Sequence, residues 1–167
     1  VLDTARLKYM LGEHLQVDSR SVHAFIIGEH GDSELAVWSS AMVSGVPIDT
    51  FCEMRGHYHH DTAEARIAEE VKNSAYEIIE KKNATYFGVA MAVRRICEAI
   101  IRDEKSILPV SNLRRGEFGI EGIALSMPAI VSAQGVEEMV PIALDEEELA
   151  KLKKSAETLK KILAEIL

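Results

Sequence analysis

Two short segments near the start of the chain concentrate residues able to move a proton beside a bound anion. Leu2-Asp3-Thr4-Ala5-Arg6 sets a carboxylate and a guanidinium three positions apart, on one face if the segment is helical. Ile27-Gly28-Glu29-His30-Gly31-Asp32-Ser33 presents an imidazole directly after an apolar run. Arginine offers a planar fork that suits a carboxylate. If Asp3 and His30 meet, the carboxylate fixes the imidazole tautomer and favours the charged ring, whose other nitrogen then gives or takes a proton. Such general acid–base help is worth about 10²–10⁴-fold in rate. Spacing alone leaves the plainer reading open: an i, i+3 surface ion pair and a solvated loop histidine.

The elements that must position these residues follow from periodicity. Leu7, Met10, Leu11 and Leu15 mark a first helix, with Asp3 or Thr4 as its cap. Ser21 to Ile27 reads as a strand ending at Gly28, which places His30 in the loop beyond it. Ala36 to Val43 has no decisive period, and Gly45-Val46-Pro47 breaks it. Arg55 to Asp61 is a polar loop with three histidines. Thr62 to Lys81 is an amphipathic helix. Asn83 caps the next, Ala84 to Arg102, which is apolar around much of its circumference and so reads as the buried central helix. The period then changes to two. Ser106 to Asn112, Ile123 to Ala133 and Glu138 to Ala143 read as strands, with turns at Gly116, Gly119, Gly122 and Gly135. Asp145 caps a terminal helix running to Leu167, whose seam of Leu149, Leu152, Ala156, Leu159, Leu163 and Ile166 reads as a face docked on its own domain. The order predicts an α+β fold, long helices on largely antiparallel sheet, in a single domain over residues 1–167.

Composition narrows the function classes. The 167 residues carry 19 Lys and Arg against 27 Asp and Glu, a net charge of −8, which argues against a nucleic-acid or anionic-membrane partner. No apolar run approaches the roughly 20 residues of a membrane span, and no signal peptide is evident. Cys52 and Cys97 each sit in an apolar run, match no ligand spacing and read as two buried thiols in a reducing, cytoplasmic compartment. His57, His59, His60 and Asp61 form a dense cluster. Neighbours in one loop seldom close a tetrahedral metal site and no cysteine joins them, so the expectation is a solvated loop and no metal.

The same segments carry a resemblance. Leu2-Asp3-Thr4-Ala5-Arg6-Leu7 and Ile27-Gly28-Glu29-His30-Gly31-Asp32-Ser33-Glu34 resemble the two signature segments of the lactate/malate dehydrogenase family, most closely its bacterial L-lactate dehydrogenases. The similarity continues through Pro47, Asn83-Ala84-Thr85-Tyr86-Phe87-Gly88, the Gly116 to Gly122 hairpin and the final helix. It implies that His30 donates the proton to the pyruvate carbonyl, that Asp3 is its carboxylate partner and that Arg6 grips the substrate carboxylate. Thr85 would line the substrate pocket, and Val89 would lie against the nicotinamide of NAD. Asp32 is expected to serve local structure. Activation by fructose 1,6-bisphosphate would use Lys8 and His23; His23 matches the pattern, whereas Lys8 replaces the usual arginine and loses its fork. A homotetramer is implied for the full-length enzyme.

A G-x-G-x-x-G turn for a dinucleotide is missing, and Gly116, Gly119 and Gly122 are spaced for turns. The expectation is therefore a C-terminal substrate domain without its dinucleotide-binding (Rossmann) half, inactive by itself. The alternatives are a malate dehydrogenase substrate domain and a non-catalytic oligomerisation module built on the terminal seam.

Overall fold

A computed structural model of the chain describes residues 1–166. It is an α+β structure with two three-stranded sheets, ordered β1-β2-β3 and β4-β5-β6. Two compact units divide it: Val1–Phe25 with Ala36–Ala92, and Ile26–Leu35 with the chain from Val93 onward.

In the first unit, α1 (Leu2–Leu15) buries Leu7, Leu11 and Leu15 and packs on α3 (His60–Lys82), whose Ile67 and Val71 are the buried pair. This is the i, i+4 stripe that the sequence displays. Its N-cap is Val1, with no side-chain cap, so the expected capping by Asp3 or Thr4 does not occur. Both lie inside the helix, Thr4 buried. β1 (Val22–Ile27) leads to the loop of residues 28–34 and then β2 (Leu35–Val43). A turn at Ser44 and Gly45, both at positive φ, pairs β2 antiparallel with β3 (Val46–Pro47). The undecided segment Ala36–Val43 is thus strand. A short helix unmarked by periodicity, α2 (Ile48–Met54), follows Pro47.

Asn83 closes α3 as a left-handed C-cap at φ 61° rather than opening the next helix. An asparagine in that conformation stops a helix because its short side chain tolerates positive φ. α4 (Phe87–Ile101) starts later than expected and is not a buried central helix: only Ala99 is buried, and Phe87 is 78% exposed. Periodicity reports that a face is apolar, not what covers it. Cys97 is exposed on α4 while Cys52 is buried on α2, so one of the two expected buried thiols is at the surface; both are free.

In the second unit, β4 (Ser106–Arg115) and β5 (Glu121–Ser132) form a long antiparallel ladder from Ser106↔Val131 to Leu113↔Ala124, with an irregularity between Leu113 and Arg115. Gly116, Gly119 and Gly135 take positive φ at the turns, whereas Gly122, expected at a turn, takes positive φ inside β5. β6 (Gly135–Met139) pairs with β5, so the last strand lies earlier than Glu138 to Ala143. The turn at Gly135 starts the return directly, and a strand's register follows its turn. α5 (Glu146–Ile166) sits on β5 through Leu152, Ser155 and Ala156. Its start is a reciprocal capping box: Glu148 N–H donates to Asp145 Oδ1 at 2.7 Å, and Asp145 N–H to Glu148 Oε2 at 3.0 Å. The docked seam ends midway, since Leu163 and Ile166 are exposed.

Two kinds of force therefore hold α5, and they separate by size. Asp145→Ala is expected to cost about 1 kcal/mol through the lost cap, and Leu152→Ala about 2–5 kcal/mol through a cavity at a side chain 1% exposed. Urea unfolding of each variant checks this; equal losses would contradict it.

Candidate active-site residues

Asp3 and Arg6 occupy the first turn of α1, and Arg6 Nη1 donates to Asp3 Oδ1 at 3.1 Å. Their side chains are 14% and 15% exposed, so the pair is shielded from water more than an ordinary surface ion pair. Asp3 does not cap the helix, and its carboxylate pairs with Arg6 instead. Arg6 uses one terminal nitrogen in this contact, and a guanidinium fork has further donors for a second anion.

The same end of α1 touches the start of α4. Leu2 Cδ1 lies 3.2 Å from where a Cβ on Gly88 would stand, a close approach that a side chain at this position would tighten. The contact brings the turn carrying Asp3 and Arg6 to the segment carrying Thr85 and Val89. Thr85 is half-buried just ahead of α4, and Val89 is 46% exposed on its first turn. Lys8 lies further along α1, half-buried, and burial pushes its ammonium below the usual lysine range. His23 is exposed on β1.

His30 is exposed in the 28–34 loop of the second unit, beyond the strand end as expected. The loop is held on both sides. Gly28 pairs with Ser126 of β5, its N–H donating to Ser126 O at 2.9 Å and its carbonyl accepting from Ser126 N–H at 3.0 Å. At φ +92° Gly28 also lies against α5, where a Cβ would meet Ser155 Oγ at 2.9 Å. Glu29 N–H donates to Ser155 Oγ at 2.9 Å. Ser33 donates to Glu29 Oε2 through its hydroxyl at 2.6 Å and its N–H at 3.0 Å. The Ser33 proton being committed there, Ser155 donates to Ser33 Oγ at 3.1 Å, which closes a ring of hydrogen bonds. A Cβ on Gly31 would collide with the Glu29 carboxylate as it folds back to Ser33.

Ser155 is the residue that sequence reasoning missed. It is fully buried at the centre of this ring. A signal was present: a small hydroxyl three positions after Leu152 and next to Ala156, on the docked face of an otherwise apolar seam.

These side chains provide a guanidinium paired to a carboxylate, and an imidazole on a braced loop. The lactate/malate dehydrogenase alpha/beta C-terminal domain matches residues 1–167. An L-lactate dehydrogenase of Acetivibrio thermocellus is 51% identical over 98% of the chain, which spans 51% of that protein. L-lactate dehydrogenase 1 of Clostridium acetobutylicum is 46% identical over 99% of the chain and 53% of its own length. The crystal structure of a minor L-lactate dehydrogenase from Enterococcus mundtii in a ligands-bound form superposes with a TM-score of 0.93 at 42% identity, covering 99% of this chain and 52% of that one. The chain thus spans about half the length of the relatives it matches.

Ser155→Ala is expected to leave the Glu29 N–H buried without its acceptor, at a cost of about 1–3 kcal/mol, and to speed amide hydrogen exchange at Glu29 and Ser33 above that at Leu125 of β5. Unchanged protection of the loop would show that Ser126 pairing alone holds it.

Proposed function

The chain belongs to the lactate/malate dehydrogenase family as its alpha/beta C-terminal domain, and on that premise we propose that it is the substrate half of an NAD-dependent L-lactate dehydrogenase interconverting pyruvate and L-lactate. The observation that carries the reading is the shielded Asp3–Arg6 pair at the foot of α1, set beside the segment that holds Thr85 and Val89.

In this reading Arg6 takes the pyruvate carboxylate on the free edge of its fork and fixes the position of C2. Thr85 bounds the substrate on the α4 side. His30, as imidazolium, hydrogen-bonds the C2 carbonyl oxygen and draws electron density from C2. As the carbonyl becomes an alkoxide it takes the His30 proton, giving the hydroxyl of lactate and a neutral imidazole; oxidation runs the same transfer backwards. Asp3 pairs with His30 and stabilises the charged ring, while its bond to Arg6 holds the guanidinium in place. A reduced nicotinamide dinucleotide, when bound, would supply the hydride that C2 receives. Tyr86, Phe87 and Val89 form an exposed apolar stretch at the start of α4, a surface suited to a flat, weakly polar nicotinamide ring. The phosphates and ribose fall to a separate dinucleotide-binding half, so the chain alone turns over little or no substrate.

The exposed apolar side chains of α4 and of the end of α5 support assembly with that half and into a homotetramer. Fructose 1,6-bisphosphate would act through Lys8 and His23, more weakly than with arginine because a lysine cannot make the bidentate contact. A cytoplasmic location accords with the two free thiols.

Steady-state kinetics of the chain combined with its dinucleotide-binding half tests the assignment. Arg6→Lys is expected to lower kcat/KM for pyruvate by about 100-fold or more, largely through KM, because the two-point grip becomes a point charge. Asp3→Asn removes the carboxylate partner proposed for His30, so kcat for pyruvate reduction is expected to fall by about 10²-fold or more. Turnover equal to that of the unaltered protein would remove Asp3 from this role.

A further inference from the structure

The end of α1, the loop of residues 55–59 and the start of α3 line an open cavity, all within the first unit. Its volume is about 470 Å³, and its lining includes His14, His57, Tyr58, His59, Thr62 and Arg66, with no carboxylate. The His14 and His57 rings lie 4.4 Å apart, tilted by 40°. Nε2 of His14 is buried and has no hydrogen-bond partner. Buried polar atoms are usually satisfied, so an unpartnered nitrogen on a residue that lines the cavity leaves a donor position open to an acceptor.

The surrounding charges point to an anion. The titratable and charged groups around the cavity are His14 of α1, His57, Tyr58 and His59 of the loop, and Arg66 of α3. Of the nearby carboxylates, Glu70 takes one Arg66 nitrogen at 2.7 Å and Glu53 of α2 lies 3.8 Å from His60 Nε2. Asp61 sits in the first turn of α3. Arg55 is spent on the end of α1, donating to Leu15 O at 3.2 Å. The N-terminus of α3 has no side-chain cap, so its first amides, near Thr62, add partial positive charge. A cation would be repelled by Arg66 and by that helix end. A tetrahedral dianion with acceptors in every direction matches donors arriving from three elements.

We propose that this cavity binds a phosphomonoester, its phosphate held by His14, His57 and Arg66. The cavity is larger than inorganic phosphate needs, which leaves room for the organic part of the ligand. Neither residues nor location coincide with Lys8 and His23, and the inference does not depend on the function proposed above.

Burial, His57 and Arg66, in that order, push the His14 imidazole below the usual histidine range. A bound dianion reverses the electrostatic part and raises it. For a ligand of constant charge, binding therefore takes up a proton at His14, and affinity falls as pH rises through the ligand-bound pKa.

Inorganic phosphate titrated into the chain, followed by the imidazole resonances in NMR, tests this. Saturable shifts at His14 and His57 are expected, and sulfate, a dianion across this range, is expected to bind about tenfold tighter at about pH 6 than at about pH 8. Arg66→Gln, at a half-exposed position where folding is not at stake, is expected to weaken it about fivefold. Saturation at His23 alone would put the anion elsewhere and overturn the proposal. So would linear, non-saturating shifts, or an affinity indifferent to Arg66→Gln, either of which would mark an adventitious ion only.

Discussion

A single buried hydroxyl organises the surroundings of His30. Ser155 Oγ accepts from the Glu29 amide and donates to Ser33, which in turn donates to the Glu29 carboxylate. The burial of Ser155 is possible because these partners satisfy its hydroxyl. The rest of the second unit serves to bring Ser155 to the loop. Leu152 and Ala156 dock α5 on β5, Asp145 and Glu148 fix where the helix begins, and Ser126 of β5 holds Gly28 from the other side. An imidazole on a loop of seven residues would otherwise sample many orientations, and proton transfer rewards a donor held in one.

The first unit solves the complementary problem of keeping a charged pair both shielded and usable. Leu7, Leu11 and Leu15 anchor α1 to α3, and Leu2 settles on Gly88, so the first helical turn is fixed at both ends. Partial burial strengthens the Asp3–Arg6 attraction without the full desolvation cost of a deep ion pair. The chain's net charge of −8 makes the basic cavity at His14, His57 and Arg66 a local exception, set by side chains and a helix end rather than by the field of the whole molecule.

How much of this was legible in the sequence depends on whether the determining interaction is local. The Asp145 cap was legible because Glu148 three residues on completes a capping box. Asp3 carries the same cue but has an arginine at the equivalent spacing, and the ion pair wins over the cap. Asn83 can either open or close a helix, and the left-handed geometry that decides between them does not show in its residue type. The strand before His30 and the glycine turns were legible from period and residue type. The exposure of α4 and of Cys97 was not, since an apolar face looks the same whether its cover lies in this chain or in another. Ser155 acts on residues more than a hundred positions away, a separation that no window of sequence spans. The family resemblance supplied roles for Asp3, Arg6 and His30 that their spacing alone leaves open.

The most direct test of the central claim is pyruvate-dependent NADH oxidation by the chain alone, then mixed with a separately produced dinucleotide-binding half, with and without His30→Ala. The account predicts turnover only after mixing, lowered by about 10²–10⁴-fold in the variant. Full turnover by the mixed His30→Ala protein would contradict the assignment of proton transfer to His30.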